Sequence, residues 1–224
     1  MLMNVIAFSK ANLNPFEEIK STYAEQIKKV DSHIKLKLSS HVELVGEMAT
    51  HLMKTGGKRL RPLLTICSSE IFNYKGDRHI NLAACVELIH NATLLHDDVI
   101  DNSMSRRGYK TTNAIWGNKS SILAGDYLLS RCFEMMVDDG SDEILKILSS
   151  VSSEIAQGEI LQLQFEKQVD MVEKNYLDII SAKTASLFGA SMRVGGCINN
   201  RSKKEKEALE SFGRNLGICF QITD

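Results

Sequence analysis

The chain reads as an all-α domain for three reasons. Only two prolines occur, Pro15 and Pro62. Apolar residues recur at helical spacing through long stretches, with little of the strict alternation that marks strands. Glycines gather at punctuation points, namely Gly56-Gly57, Gly76, Gly108, Gly117, Gly140 and Gly195-Gly196, and divide the chain into helix-length pieces. With 224 residues, 43% of them hydrophobic and 25% charged, the chain can bury one sizeable core. No repeat, low-complexity tract or long linker interrupts it, so residues 1–224 read as a single domain.

Taken in order, a helix or helix pair is expected over about 15–53. Gly56-Gly57 then turns into the basic stretch Lys58-Arg59-Leu60-Arg61. Pro62 suits the first turn of a helix running to about Tyr74, where its missing N–H would have no partner anyway. A long apolar helix is expected from about Ile80 to Asn102. The segment SRRGYKTTNAIWGNK reads as a polar loop. Helices over about 120–137, 142–169, 173–198 and 202–224 follow. The last has no stop signal, because Leu216, Ile218, Cys219, Phe220 and Ile222 are still apolar where the sequence reaches Asp224.

Composition excludes several classes. Lys plus Arg number 27 and Asp plus Glu 28, so the net charge of −1 gives no global attraction for nucleic acid or an anionic membrane. The N-terminal stretch MLMNVIAFSKANLNP has no basic n-region, no cleavage site and no arginine, so it makes a poor signal or transit peptide. No apolar run approaches the ~20 residues of a membrane span. The five cysteines include no CxxC pair and read as reduced, mostly buried thiols. A cytoplasmic location is expected.

The segment ELIHNATLLHDDVID carries the chemistry. Asp97, Asp98 and Asp101 form a DDxxD pattern; at ~100° per residue, Asp97 and Asp101 stand one turn apart on one face, with His90 on nearly the same stripe. Such carboxylates repel one another unless a cation neutralises them, and oxygen donors without thiolates suit Mg²⁺ shared with substrate phosphates. Acidic residues at a helix end are commonly just solvated, so the flanks decide. On one side lie Lys58, Arg59 and Arg61 beside a double glycine and a helix start, the makings of an anion pocket. On the other lie Arg106 and Arg107. His96, beside the aspartates, reads as a residue that packs or supports its neighbours from behind, not as a ligand or base.

With these segments in view, the sequence resembles the trans-isoprenyl diphosphate synthases, and within them the long-chain, octaprenyl-like type. The resemblance runs through GGKRLRP, ELIHNATLLHDDVID, RRG, WGN with LAGDYLLSR, GEILQLQ, KTASLFGAS and FQITD, in the family's order. It implies an isoprenoid-synthase-type helical bundle around a central cavity. It implies a prenyltransferase that condenses isopentenyl diphosphate onto an allylic diphosphate. By the same resemblance Lys58, Arg61, His90 and Arg107 hold the diphosphate of isopentenyl diphosphate, and Arg106 holds the allylic diphosphate. Asp97, Asp98 and Asp101 bind Mg²⁺; Lys183, Thr184 and Gln221 line the allylic site; Asp224 opens a second metal-binding motif. The family pairs as homodimers, and 120–137 is the expected contributor. Ala92 and Thr93 are small where short-chain relatives carry aromatics, so a long product is expected, its tail ending near Val86 or Phe133.

Family members continue beyond Asp224 through the rest of that motif and further helices. The expectation is therefore a domain incomplete at its C-terminus, weak or inactive alone unless a separate C-terminal fragment completes it. The alternative is a non-catalytic subunit or a degenerate remnant. A class I terpene cyclase shares the acidic helix but needs no second diphosphate pocket, so Lys58, Arg61 and His90 argue against it.

Overall fold

The computed structural model describes residues 14–166 and 170–223. The helices in order are α1 (Pro15–Thr22), α2 (Ala24–Lys37), α3 (Glu43–Lys54), α4 (Leu60–Glu70) and α5 (Arg78–Ile100). A two-stranded antiparallel hairpin, β1 (Ser105–Arg106) and β2 (Tyr109–Lys110), pairs Ser105 with Lys110. Then come α6 (Thr112–Trp116), α7 (Asn118–Asp139), α8 (Asp142–Phe165), α9 (Glu173–Ile180), α10 (Ser186–Ile198) and α11 (Lys203–Thr223). The fold is all-α, as the sequence predicts.

The differences from the expected elements have local causes. The stretch 15–53 holds three helices, because Tyr23 and the turn after Leu38 interrupt it. The expected 173–198 helix is divided by a π-helical turn, Ser181–Ala185, between α9 and α10. The polar loop contains the hairpin and α6. The residues Leu82-Ala83-Ala84-Cys85-Val86 are all buried in sequence. Five successive positions cover every face of a helix, so α5 is apolar all round and becomes the central helix. It shares one core with Val30 and Ile34 of α2, Leu128 and Met135 of α7, Leu148 of α8 and Val194 of α10. A smaller cluster of Leu64, Phe188 and Met192 joins α4 to α10, with Leu216 and Phe220 of α11 packed against it.

Phe133 does not reach the interior. It is 45% exposed, on an outer stripe of α7 with Ile122, Leu123 and Val137. Of the two expected ends for a product tail, only Val86 lies inside. Ala92 is fully buried, as is Cys85; Cys132 and Cys197 are nearly so, whereas Cys67 is half-buried and Cys219 exposed, and all five are free thiols. Among the described residues, no helix is long and apolar enough to cross a membrane.

Glycine sets the closest helix contacts. A Cβ on Gly195 of α10 would lie 2.6 Å from the main-chain carbon of Ser68 and the nitrogen of Ser69 on α4. Gly46, inside α3, has nothing within 4 Å of such an atom. Gly195→Ala should therefore force α4 and α10 apart and cost about 1–3 kcal/mol. Gly46→Ala should add about 0.5–1 kcal/mol by its helix preference alone. Urea unfolding midpoints check both; two shifts of the same sign would contradict this account of the α4–α10 seam.

Candidate active site

The basic half of the site begins with Arg59, which caps α4 in the left-handed region at φ 52°. Its side chain turns inward: Nη1 donates to Glu87 Oε1 at 2.5 Å and Nε lies 3.0 Å from Asp31 Oδ1. Lys58 and Arg61, on either side of it, line a cavity of about 170 Å³ with Gly57, His90, Asn91 and Arg107. The four residues expected at one diphosphate thus share one cavity. Phe188 and Phe220 form its aromatic side, with Arg61 Cζ 4.7 Å from the first ring centroid and Lys58 Nζ 5.8 Å from the second.

Arg59 and Glu87 also line this cavity, so one carboxylate there faces Lys58, Arg59, Arg61 and Arg107. Burial pushes the Arg61 guanidinium down to about 10, opposed by Glu87. Burial, then Arg61 and Arg107, hold His90 well below its usual value. Burial also raises Glu87, against the pull of Arg59. Arg61 Nε and Asn91 Nδ2 are buried without a hydrogen-bond partner. Cations beside unpaired buried donors make a receptor for a phosphate-type anion.

The acidic half stands two turns further along α5. Successive residues point ~100° apart, so Asp97 and Asp98 diverge. Asp98 Oδ1 accepts from Arg106 Nε at 3.0 Å and Nη2 at 2.8 Å. Its main-chain oxygen accepts from Asn113 at 3.2 Å and from Ser103 N at 2.9 Å, which fastens the hairpin to α5. Asp97 Oδ2 instead lies 3.7 Å from Lys183 Nζ, which donates to Glu159 Oε2 at 2.8 Å. Asp101 caps α5 and is exposed. Thr184 donates to Gln221 Oε1 at 2.9 Å, joining the π-helical turn to α11. Among the described residues no three acidic, histidine or cysteine side chains converge closely enough to hold an ion. Asp224 lies outside the described residues.

The donors nonetheless fit a hard divalent cation. Asp97 and Glu159 offer carboxylate oxygens to the same space, and Glu159 Oε1 is buried without a partner. Burial pushes the Asp97 carboxyl up to about 7; Lys183 opposes this, while Glu159 and Asp101 add to it. The missing quantity is positive charge among oxygen donors. His96 Nε2 lies 3.2 Å from the Ile122 carbonyl oxygen and 3.4 Å from Asp126 Oδ1.

Glu159, Glu87 and Asn91 are site residues that the sequence did not assign, and Arg59, expected with Lys58 and Arg61 in the anion pocket, is paired instead with Glu87 and Asp31. Asn91 and Glu87 carried a usable signal, a polar residue in a helix apolar on every side. Glu159 had none of its own, since a glutamate on α8 reads as solvated until its neighbour Gly158 brings the helix against the main chain of Lys183, 2.8 Å from where a Cβ would stand.

A model of the family described as polyprenyl synthetase matches residues 42–224. The octaprenyl diphosphate synthase of Escherichia coli (strain K12) is 39% identical over 208 residues, covering 93% of this chain and 64% of the relative. The crystal structure of a decaprenyl diphosphate synthase from Rhodobacter capsulatus superposes with a TM-score of 0.90 at 44% identity, covering 93% of this chain and 64% of that one. A polyprenyl synthase from Caulobacter crescentus CB15, complexed with calcium and isoprenyl diphosphate, superposes with a TM-score of 0.89 at 40% identity, covering 92% and 63%. The chain thus spans just under two thirds of the length of these relatives.

The raised Asp97 pKa carries a pH dependence. A neutral Asp97 contributes stability that is fully present below its usual value of 3.8 and is lost as pH rises through about 7. In metal-free buffer, Asp97→Asn should match the parent near pH 4 and exceed its stability at about pH 8. Urea unfolding at the two pH values checks this; an equal difference at both would contradict it.

Proposed function

This chain belongs to the polyprenyl synthetase family, and from that premise we propose that it serves magnesium-dependent prenyl transfer, extending an allylic diphosphate with isopentenyl diphosphate to make a long-chain polyprenyl diphosphate. The observation that carries the reading is the basic cavity: Lys58, Arg61, His90 and Arg107 around buried donors that lack an acceptor. It shares α5 with an acidic end at which Asp97 and Glu159 share one lysine, Lys183. The E. coli relative's name and the calcium and isoprenyl diphosphate of the Caulobacter structure support the same pairing of ligands.

In this reading the basic cavity holds the diphosphate of isopentenyl diphosphate and keeps its double bond directed along α5. Arg106, Lys183, Thr184 and Gln221 hold the allylic diphosphate opposite. Asp97 and Asp101 are the residues that would bind the magnesium, with Glu159 beside them; Asp98 keeps Arg106 in place. Bound there, the ion supplies the charge that a departing diphosphate requires. The allylic C–O bond breaks, its electron pair leaves with the diphosphate, the isopentenyl double bond attacks the allylic carbon, and loss of a proton restores a double bond. The cations of this chain stabilise the leaving group, and no side chain acts as a covalent nucleophile. In this proposal the growing tail passes the small Ala92 and Thr93 towards Val86.

A homodimer formed through the outer stripe of α7 is part of the proposal, since Ile122, Leu123, Phe133 and Val137 are all exposed there. So is a cytoplasmic place of action, consistent with five free thiols.

Calorimetric titration with isopentenyl diphosphate tests the cavity without requiring turnover. Arg61→Ala should weaken binding by about 1.5–3 kcal/mol, the usual worth of a charge-assisted hydrogen bond. Equal affinity in mutant and parent would sink the assignment. Sedimentation velocity tests the stripe: the parent should run as a dimer and Phe133→Arg as a monomer, and a monomeric parent would remove the dimer from the proposal.

A further inference from the structure

We propose that Gly57 is a positioning residue whose bare α-carbon is the seat of the Arg107 guanidinium, so that a glycine decides whether Arg107 closes the basic cavity. The inference rests on the diphosphate reading of that cavity and adds a residue to it.

Three observations converge. A Cβ built on Gly57 would stand 2.5 Å from Arg107 Nη1, 2.9 Å from Nη2 and 3.0 Å from Cζ, so the whole guanidinium face occupies the space a side chain would take. The second is the route by which Arg107 arrives. Arg107 and Gly108 form the two-residue turn between β1 and β2, with φ of 52° and 82°, the sign pattern of a type I′ turn. Gly108 suits that turn, but Arg107 does not: such positions favour Asn, Asp or Gly, and a left-handed arginine is a local cost. Turn chemistry does not explain the residue; its place in the lining of the basic cavity, against Gly57, does. The third is that the two segments are joined here across about 50 residues of chain, Gly57 in the loop before α4 and Arg107 on a hairpin whose base Asp98 and Asn113 hold.

The obstruction is of an informative kind. The atoms that a Cβ would meet are the far end of a flexible side chain, not backbone. The Gly57 backbone is not in the left-handed region, so alanine meets no conformational penalty there. Gly57→Ala should leave the fold intact and displace Arg107, removing a cation from the cavity without touching a charged residue.

The test is a double-mutant cycle by calorimetry with isopentenyl diphosphate on the parent, Gly57→Ala, Arg107→Ala and the double variant, with melting temperatures alongside. Each single variant should bind about tenfold or more weakly. The double variant should bind no more weakly than Arg107→Ala alone, since Gly57 acts only through Arg107. Parent-like binding by Gly57→Ala overturns the proposal. So does a further loss in the double variant, which would mean that Gly57 contacts the ligand or holds the loop by itself. A lowered melting temperature that persists in the double variant also overturns it. A second measurement needs no ligand: the Arg107 Nε signal in nitrogen-15 NMR should sharpen in Gly57→Ala as the guanidinium is released. If no protein binds isopentenyl diphosphate yet that signal sharpens, the seat stands and the ligand reading falls. If the parent binds and the signal does not change, the seat falls and the ligand reading stands.

Discussion

The ion pair between Arg59 and Glu87 fixes the layout of the basic cavity. Three cations fall within four residues of a loop, and left to themselves they would spread into solvent. Arg59 is drawn the other way. Glu87 on the central helix is 4% exposed in its side chain and Arg59 10%, and Asp31 of α2 completes the set. Breaking one partner of a buried pair costs about 3–5 kcal/mol, enough to hold a left-handed backbone worth about 1–2. With Arg59 committed inward, Lys58 and Arg61 take the two sides of the cavity. The pair is therefore a register pin, and the residues proposed to hold a diphosphate are the cations outside it.

The same helix solves the opposite problem at its other end. Asp97, Asp98 and Asp101 would repel one another at the negative end of α5, where the helix dipole adds to the cost. The structure separates them. Asp98 is neutralised by Arg106, Asp101 is left to solvent, and Asp97 shares one lysine with Glu159. One ammonium between two carboxylates is incomplete compensation; burial raises the Asp97 carboxyl first, and Glu159 adds to it against the pull of Lys183. Lys183 holds the two carboxylates facing one space, the arrangement that the proposed function assigns to a divalent ion.

Much of this was legible in the sequence, and what was not has a physical reason. The helices and the cationic residues were readable because helical periodicity and charge are local properties. Lys58, Arg61, His90 and Arg107 meet in one cavity as their motifs implied. Arg59 was not separable from Lys58 and Arg61, because three closely spaced cations look alike until a buried carboxylate selects one. Glu159 and the Asp97–Lys183 contact depend on how closely α8 approaches the turn after α9, and that turn is π-helical, a hydrogen-bond register that no residue pattern announces. Phe133 was misplaced for a related reason: apolar spacing on α7 says that a stripe exists but not whether it faces the core or the outside. Asp98 looked equivalent to Asp97 in the motif and is not, since ~100° of rotation gives each a different neighbour.

The glycines connect packing to chemistry. Gly213 and Gly217 on α11 let that helix lie against the main chain of α10 and of the π-helical turn, where a Cβ would come within 2.5 Å of the Phe188 oxygen and 2.6 Å of the Ala185 α-carbon. That approach brings Phe220 to the aromatic side of the basic cavity and Gln221 to Thr184. Gly158 does the same for α8 and Glu159. For Gln221 and Glu159 the residue brought to the site is long and polar, and the residue that sets its distance has no side chain at all. A helix bundle separates its axes by 8–10 Å, too far for most side chains to share one small ligand from several directions. Removing a Cβ at the crossings shortens that distance where it matters. The close seams and the converging polar groups are therefore one feature of the fold: the site exists where the helices come nearer than their side chains would ordinarily allow.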